Sequence, residues 1–220
     1  MPSAYTAVLH LAAIILFGYL LGSVPTSIVL GRIFFKTDIR EHGSGNAGGT
    51  NAVRVFGWRA GALVILIDVA KGALAVLLVS RLPRFPGMET SLLSADATAL
   101  AAGLAAVAGH IWTVFASFRG GKGVATAAGM VAGLYPVAFV ATIPIFVIAV
   151  AVTGIVSVGS ISVAIGFPLV LLILERTGVS HASPLLMGVS VAIGVLILFT
   201  HRSNIGRLRR GEEKRMFRKR

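Results

Sequence analysis

Cysteine is absent from all 220 residues. Disulfides, thiolate metal ligation and a cysteine nucleophile are therefore excluded, and cysteine usage says nothing about redox compartment. Acidic residues are scarce: eight Asp and Glu stand against twenty Lys and Arg, for a formal charge of +12. Carboxylates near the donor-rich segments described below are few, so neither a metal nor another cofactor is expected. Several enzyme signatures are missing as well. No His is followed five positions later by Asp, and no D-G-x₂-A-R, G-x-S-x-G or H-E-x-x-H occurs. These absences argue against the H-x₄-D acyltransferases, the CDP-alcohol phosphotransferases, the α/β-hydrolases and the zincins. The first apolar run carries no Lys or Arg before Arg32. A secretory leader begins with positive charge and ends at a small-residue cleavage site. The run reads instead as a retained first span with its N-terminus outside.

Long apolar runs fill most of the chain. Hydrophobic residues make up 56% of the sequence and charged ones 13%, which matches membrane spans better than a soluble core. The 26 glycines suit helices that pack closely or break within a membrane. Candidate spans lie at 5–30, 58–80, 94–116, 158–174 and 184–200, with a continuous apolar stretch at 124–153. As one helix that stretch measures about 45 Å, against a hydrocarbon core of about 30 Å. Gly133, Tyr135 and Pro136 offer a break. Splitting there gives seven crossings, with 124–134 short for a full span.

Charge placement favours seven. With the N-terminus outside, segments 36–57 and 117–123 and the C-terminal tail then lie inside. All Lys and Arg except Lys71, Arg81, Arg84 and Arg176 fall on or near that face. Six crossings would put outside a tail in which nine of the last twenty residues are basic. The expected fold is thus an all-α integral membrane protein of seven transmembrane helices, with a cytoplasmic C-terminus. Residues 1–200 form a single transmembrane domain with cytoplasmic-side active-site loops. Residues 201–220 form a basic cytoplasmic tail that begins with an active-site motif. A basic tail also suits nucleic acid, but a membrane surface already accounts for the charge, so no nucleic acid is expected.

Three polar segments stand out on that inner face. HGSGNAGGTNAVR, residues 42–54, contains Gly43, Gly45 and Gly48 in a G-x-G-x-x-G spacing, with Asp68 twenty residues further on. The dinucleotide fingerprint requires a preceding strand, whereas an apolar helix precedes this one and Asp68 lies inside the next apolar run. What remains is a loop suited to an anion. Glycines let backbone N–H groups approach closely. Ser44, Asn46, Thr50 and Asn51 add neutral donors, and Arg54 adds a fork that fits phosphate oxygens. FRGGKGVAT, residues 118–126, sets Lys122 among Gly120, Gly121 and Gly123 directly before an apolar run. That arrangement is phosphate-loop-like, but Gly123 stands where a Walker A motif has Ser or Thr. HRSNIGRLRRGEE, residues 201–213, starts where the last span ends. Helical spacing puts His201, Asn204 and Arg207 on one face, while Arg209, Arg210 and the rest of the tail suit a lipid surface. Far apart in sequence, the three segments are expected to converge.

Other features are structural punctuation. GSVP at 22–25 breaks the first helix and releases backbone groups that must line a cavity. Asp68 and Lys71, three apart within a span, read as a structural ion pair. His110 is either a core donor or a site wall. His10 and His181 lie on the outer side.

In combination, GSVP, HGSGNAGGTNAVR, GHIWTVFASFRGGKGVAT and HRSNIGRLRRGEE resemble the bacterial acyl-phosphate:glycerol-3-phosphate acyltransferases, the PlsY-type enzymes. The resemblance runs from about Gly22 to Glu213. It implies seven membrane helices in the bacterial inner membrane and an active site on the cytoplasmic side. It implies transfer of a fatty acyl group from acyl phosphate to the sn-1 hydroxyl of glycerol 3-phosphate, giving lysophosphatidate and phosphate for phospholipid synthesis. It marks Ser44, Arg54, Lys122, His201 and Asn204 as site residues, with Ser157 and Ser160 in a serine-containing turn. Two departures occur: GGTN at 48–51 replaces the usual GATN, and Gly154 and Ile155 stand where a basic–aromatic pair is common.

Both substrates of such a reaction carry phosphate and repel each other. Arg54 and Lys122 suit the two phosphates, Ser44 and Asn204 suit the reacting oxygens, and either His201 or a substrate phosphate accepts the proton. Phosphate is already a good leaving group, so no acyl-enzyme is needed. The implied partners are acyl phosphate, glycerol 3-phosphate and the lipid bilayer, with no obligatory protein partner. The alternative is a transporter or channel for phosphate or another small anion, which shares basic loops but favours a polar path at mid-depth. A pure scaffold leaves the three loops without a purpose.

Overall fold

The computed structural model describes residues 2–84, 86 and 93–216. Part of the polar link at 81–93 and the last four residues of the basic tail lie outside the described residues. The described residues form helices, turns and loops with no strand. The helices are α1 (Pro2–Gly22), α2 (Thr26–Phe34), α3 (Gly49–Phe56), α4 (Trp58–Leu77), α5 (Ala95–Ile111), α6 (Val124–Leu134), α7 (Pro136–Thr153), α8 (Val156–Arg176), α9 (Pro184–Thr200) and α10 (Arg202–Arg209). Among the described residues five apolar stretches are long enough to cross a membrane, and a sixth results if α9 and α10, bent by 59°, count as one span.

The chain divides into two compact units, Met1–Leu134 and Tyr135–Arg220. The boundary falls where the sequence predicts a break. Tyr135 precedes Pro136, a residue that opens α7 at its first position. The helix ahead of it, α6, has 11 residues and reaches only about half the thickness of a bilayer core.

In the first unit, α1 packs on α5 and α4 packs on α6. Small residues permit these approaches. A Cβ on Gly22 would land on the Ala106 backbone of α5, and one on Gly129 of α6 would land on the Val69 carbonyl of α4. Close helix contact through small residues is the membrane substitute for a hydrophobic driving force. Apolar side chains such as Ile15, Leu16, Leu66 and Ile67 point outward, as lipid-facing positions should.

GSVP separates α1 from α2, as the sequence predicts. The carbonyls released there are taken up by α4 and by the loop after α5. The Thr113 hydroxyl donates to the Ser23 carbonyl, and the Lys71 ammonium donates to the Val24 carbonyl at 3.1 Å. Within apolar surroundings such groups must find partners inside the protein.

In the second unit, α8 packs on both α7 and α9. Pro144 and Pro168 lie inside α7 and α8 and are tolerated in apolar helices of this kind. Gly154, in the left-handed conformation, ends α7 and turns the chain into α8. The start of the expected tail is itself structured: α10 is helical, and the Met216 N–H donates to the Gly154 carbonyl at 2.6 Å.

Candidate active site

The first two donor-rich segments meet in the first unit. Arg40 forks onto Asp38, with Nε to Oδ1 at 3.0 Å and Nη2 to Oδ2 at 2.7 Å. Arg32 adds a contact to Oδ2 at 3.0 Å. The remaining arm of Arg40, Nη1, donates to the Ala116 carbonyl at 2.9 Å, just ahead of the second segment. A cleft of about 620 Å³ opens here, lined by Asp38, Arg40, Glu41, Gly45, Ser117, Arg119 and Gly120. The hydrogen bonds from Arg40 hold the Asp38 carboxyl well below the usual carboxylate range, against the opposing effect of burial. The same pairing pushes the Arg40 guanidinium further up.

The first segment is shaped from within by Asn51, which is 2% exposed. Its amide nitrogen faces the carbonyls of Ile39, His42 and Asn46 at 3.2, 3.0 and 3.0 Å. Its amide oxygen accepts the Ser44 N–H at 2.8 Å. The Asn51 side chain, expected among the anion donors, is thus fully engaged in holding the loop. Gly43 and Gly45 turn the loop in the left-handed region, at φ 66° and 72°. Ser44 is exposed, Asn46 and Thr50 are half-buried, and Arg54 sits half-buried in the last turn of α3.

The glycines of the second segment differ from the expectation in what their backbones do. The Gly120 N–H donates to the Ile111 carbonyl and the Gly121 N–H to the His110 carbonyl, each at 3.0 Å. The last carbonyls of α5 therefore occupy two donors that the sequence reading assigned to phosphate. These glycines serve close approach instead: a Cβ on Gly121 would land on the His110 imidazole. Ser117 and Phe118 precede them at φ 56° and 58°, an uncommon conformation for residues with side chains that marks a tightly determined turn. Lys122 is half-buried, and Gly123 turns into α6 at φ 84°.

In the second unit, His201 sits at the bend between α9 and α10 and is 3% exposed. Its Nδ1 lies 2.8 Å from the Ile197 carbonyl. A carbonyl only accepts, so Nδ1 carries the proton and Nε2 is the basic nitrogen of the neutral ring. Asn204 lies one turn on, and its amide donates to Glu213 Oε1 at 2.6 Å. The Ser157 hydroxyl donates to the same oxygen at 2.9 Å, and Arg207 Nε donates to Oε2 at 2.6 Å. Glu213 thereby ties together Asn204, Arg207 and the first turn of α8. The Ser160 hydroxyl turns back to the Val156 carbonyl of its own helix at 3.2 Å.

Glu213 is the residue that sequence reasoning missed. The available signal was an acidic pair within an otherwise basic tail. Burial alone would raise its carboxyl, but the hydrogen bonds from Arg207, Asn204 and Ser157 hold it below its ordinary value. A depressed carboxylate contributes stability that is present above its ordinary value and lost as pH falls through its folded value. Glu213→Gln is therefore expected to lower the thermal midpoint in detergent by roughly 5–10 °C above about pH 5, for a loss of about 2–3 kcal/mol. The gap from wild type should close as the pH falls below about 4. A gap that stays constant through that window counts against the charge-assisted contacts.

Among the described residues no group of His, Asp and Glu side chains gathers in a way that could hold a metal ion. A multi-span helical membrane protein with a polar, charged cleft and a buried histidine at a helix bend is the class that these features define. Residues 12–211 match the family described as Glycerol-3-phosphate acyltransferase. A glycerol-3-phosphate acyltransferase of Chlorobaculum tepidum is 46% identical over 228 residues, covering 93% of this chain and 95% of that one. Its counterpart in Chlorobaculum parvum is also 46% identical, with the same coverage. The crystal structure of PlsY (YgiH), an integral membrane glycerol 3-phosphate acyltransferase, in its glycerol 3-phosphate form superposes with a TM-score of 0.79. It is 32% identical and covers 93% of this chain and 94% of that chain. Its lysophosphatidic acid form superposes with a TM-score of 0.75 at 31% identity. The chain belongs to the glycerol-3-phosphate acyltransferase family and is a multi-pass integral membrane protein.

Proposed function

We propose that this protein transfers a fatty acyl group from acyl phosphate to the sn-1 hydroxyl of glycerol 3-phosphate, releasing lysophosphatidate and inorganic phosphate. The observation that carries this reading is the family match over residues 12–211, which spans the first two donor-rich segments and runs into the third. The relatives are named for acyl transfer, which lends the transporter alternative no support. Acyl phosphate as donor rests on the resemblance and on chemistry. A phosphate leaving group needs no acyl-enzyme, and this chain has no cysteine.

In the proposed reaction the sn-1 oxygen attacks the acyl carbonyl, a tetrahedral oxyanion forms, and the C–O bond to phosphate breaks. Arg54 and Lys122 neutralise the two phosphates, supported by the glycine-shaped loops around Gly43, Gly45, Asn46 and Thr50 and around Gly123. Ser44 and Asn204 orient the reacting oxygens and donate to the oxyanion. His201 takes the hydroxyl proton on Nε2 and passes it on to the departing phosphate or to solvent. Ser157 and Ser160 support the serine turn at the start of α8. We further propose seven passes, with α6 as a short crossing, the N-terminus outside and the tail inside, because that arrangement gathers the basic residues on one face. The membrane is then the bacterial inner membrane, with chemistry on its cytoplasmic side.

The test is direct. Purified protein incubated with palmitoyl phosphate and glycerol 3-phosphate should form lysophosphatidate, while palmitoyl-CoA in its place should not. Turnover should persist in EDTA. A rate that collapses with EDTA and returns with Mg²⁺, or a preference for the thioester, overturns the assignment.

A further inference from the structure

Four of the polar side chains buried in the first unit form a cluster that has no role in the reaction proposed above. Thr26, Asp68, Lys71 and His110 are 7%, 1%, 4% and 6% exposed. One carboxylate oxygen gathers them. Asp68 Oδ1 lies 2.8 Å from Lys71 Nζ, accepts the Thr26 hydroxyl at 3.0 Å and lies 3.6 Å from His110 Nδ1. That single atom thus joins the start of α2, the middle of α4 and the end of α5. Lys71 also donates to the Val24 carbonyl at 3.1 Å, one of the groups released by the break between α1 and α2.

On its other side the cluster touches the glycine segment. The His110 carbonyl accepts the Gly121 N–H at 3.0 Å, and the imidazole lies so close to Gly121 that a Cβ there would fall on Nε2. The ring is wedged between Asp68 and the backbone next to Lys122. An ion pair at this depth is a poor device for stability alone, because apolar residues of similar volume often do as well or better. Such pairs in apolar helices mark a specific task.

We infer that Asp68, Lys71 and His110 are positioning residues: together they lock the glycine segment that presents Lys122 to the helix break at Ser23–Pro25. The inference rests on the reaction proposed above. Lys122 is set by its backbone, and the backbone of Gly120 and Gly121 is set by the end of α5. The end of α5 is in turn held through His110 to the Asp68–Lys71 pair. Loosening the cluster displaces the lysine without removing it. Displacement of a binding group by about 1 Å costs up to about a hundredfold.

Three variants test this, each read for kcat, for the KM of glycerol 3-phosphate and for thermal midpoint. His110→Leu places no charge in the core and is expected to raise that KM about ten- to hundredfold, with kcat within about threefold. His110→Asn puts an amide nitrogen where Nδ1 faces Asp68 and is expected to bring the KM back to within about threefold of wild type. Asp68→Asn combined with Lys71→Met removes the pair without stranding a charge. It is expected to keep the thermal midpoint while the KM stays raised. An unchanged KM in His110→Leu, equal behaviour of the Asn and Leu variants, or a thermal midpoint that collapses in His110→Leu overturns the inference. So does a double variant that recovers KM together with stability. If the double variant does not fold, the two His110 variants decide alone. An inactive wild type overturns the proposed function and the inference with it, whereas an active wild type with indifferent variants overturns the inference only.

Discussion

Replacing His201 by alanine is expected to lower kcat by about 10²–10⁴-fold while the KM for glycerol 3-phosphate stays within about threefold. The expectation follows from one hydrogen bond. Because the Ile197 carbonyl fixes the proton on Nδ1, Nε2 is the unprotonated nitrogen of the neutral ring. The backbone N–H of His201 is held by the Ile197 and Leu198 carbonyls at 3.0 and 3.1 Å, so the bend at the end of α9 does not depend on the ring. Alanine therefore removes the proposed base and leaves the bend in place. His201→Gln is the sharper variant, since its amide can occupy the place of Nε2 without basicity, and it should be as slow as alanine. If either variant raises only the KM, the proton goes to a substrate phosphate and His201 is a binding residue.

The outline of the fold was legible because glycine and proline punctuate it locally. GSVP ends α1, and Pro136 opens α7, and both breaks follow from backbone rules that need no tertiary information. The spans were legible from length and hydropathy, except that the 11 residues of α6 leave the crossing count to topology rather than to length. The candidate site can be read from the sequence only as a set of residue types, not as a set of contacts. Glycine-rich segments predict exposed N–H donors, yet Gly120 and Gly121 give theirs to α5. Nothing in the segment announces which carbonyls will approach it. Asn51 shows the same limit: an amide in a loop reads as a ligand donor until its burial is known. The role of Glu213 was illegible for the converse reason. A carboxylate from an acidic pair in a basic tail gains meaning only when the chain folds back and brings Ser157, Asn204 and Arg207 to it.

Arg54→Ala and Lys122→Ala are each expected to lower kcat/KM by about 30- to 150-fold, as the loss of charge-assisted hydrogen bonds worth about 2–3 kcal/mol implies. Both side chains are half-buried, so solvent screens them only in part, and the thermal midpoint should move by only a few degrees. The pattern of the double variant carries more information than either single loss. Two cations that neutralise separate phosphates act independently, and their losses add on a free-energy scale. Two cations on one phosphate do not add, because the first loss already releases that group. Additive losses are expected, with the double variant slower by about three to four decades. Arg54→Lys should recover only part of the loss, because charge returns but the planar fork does not. Lys122→Arg should fare no better, since the glycine segment is packed against His110 and offers little room for a larger head group. A double variant no worse than the weaker single one would place both cations on the same phosphate. The repulsion between the two substrates would then have to be overcome by other groups.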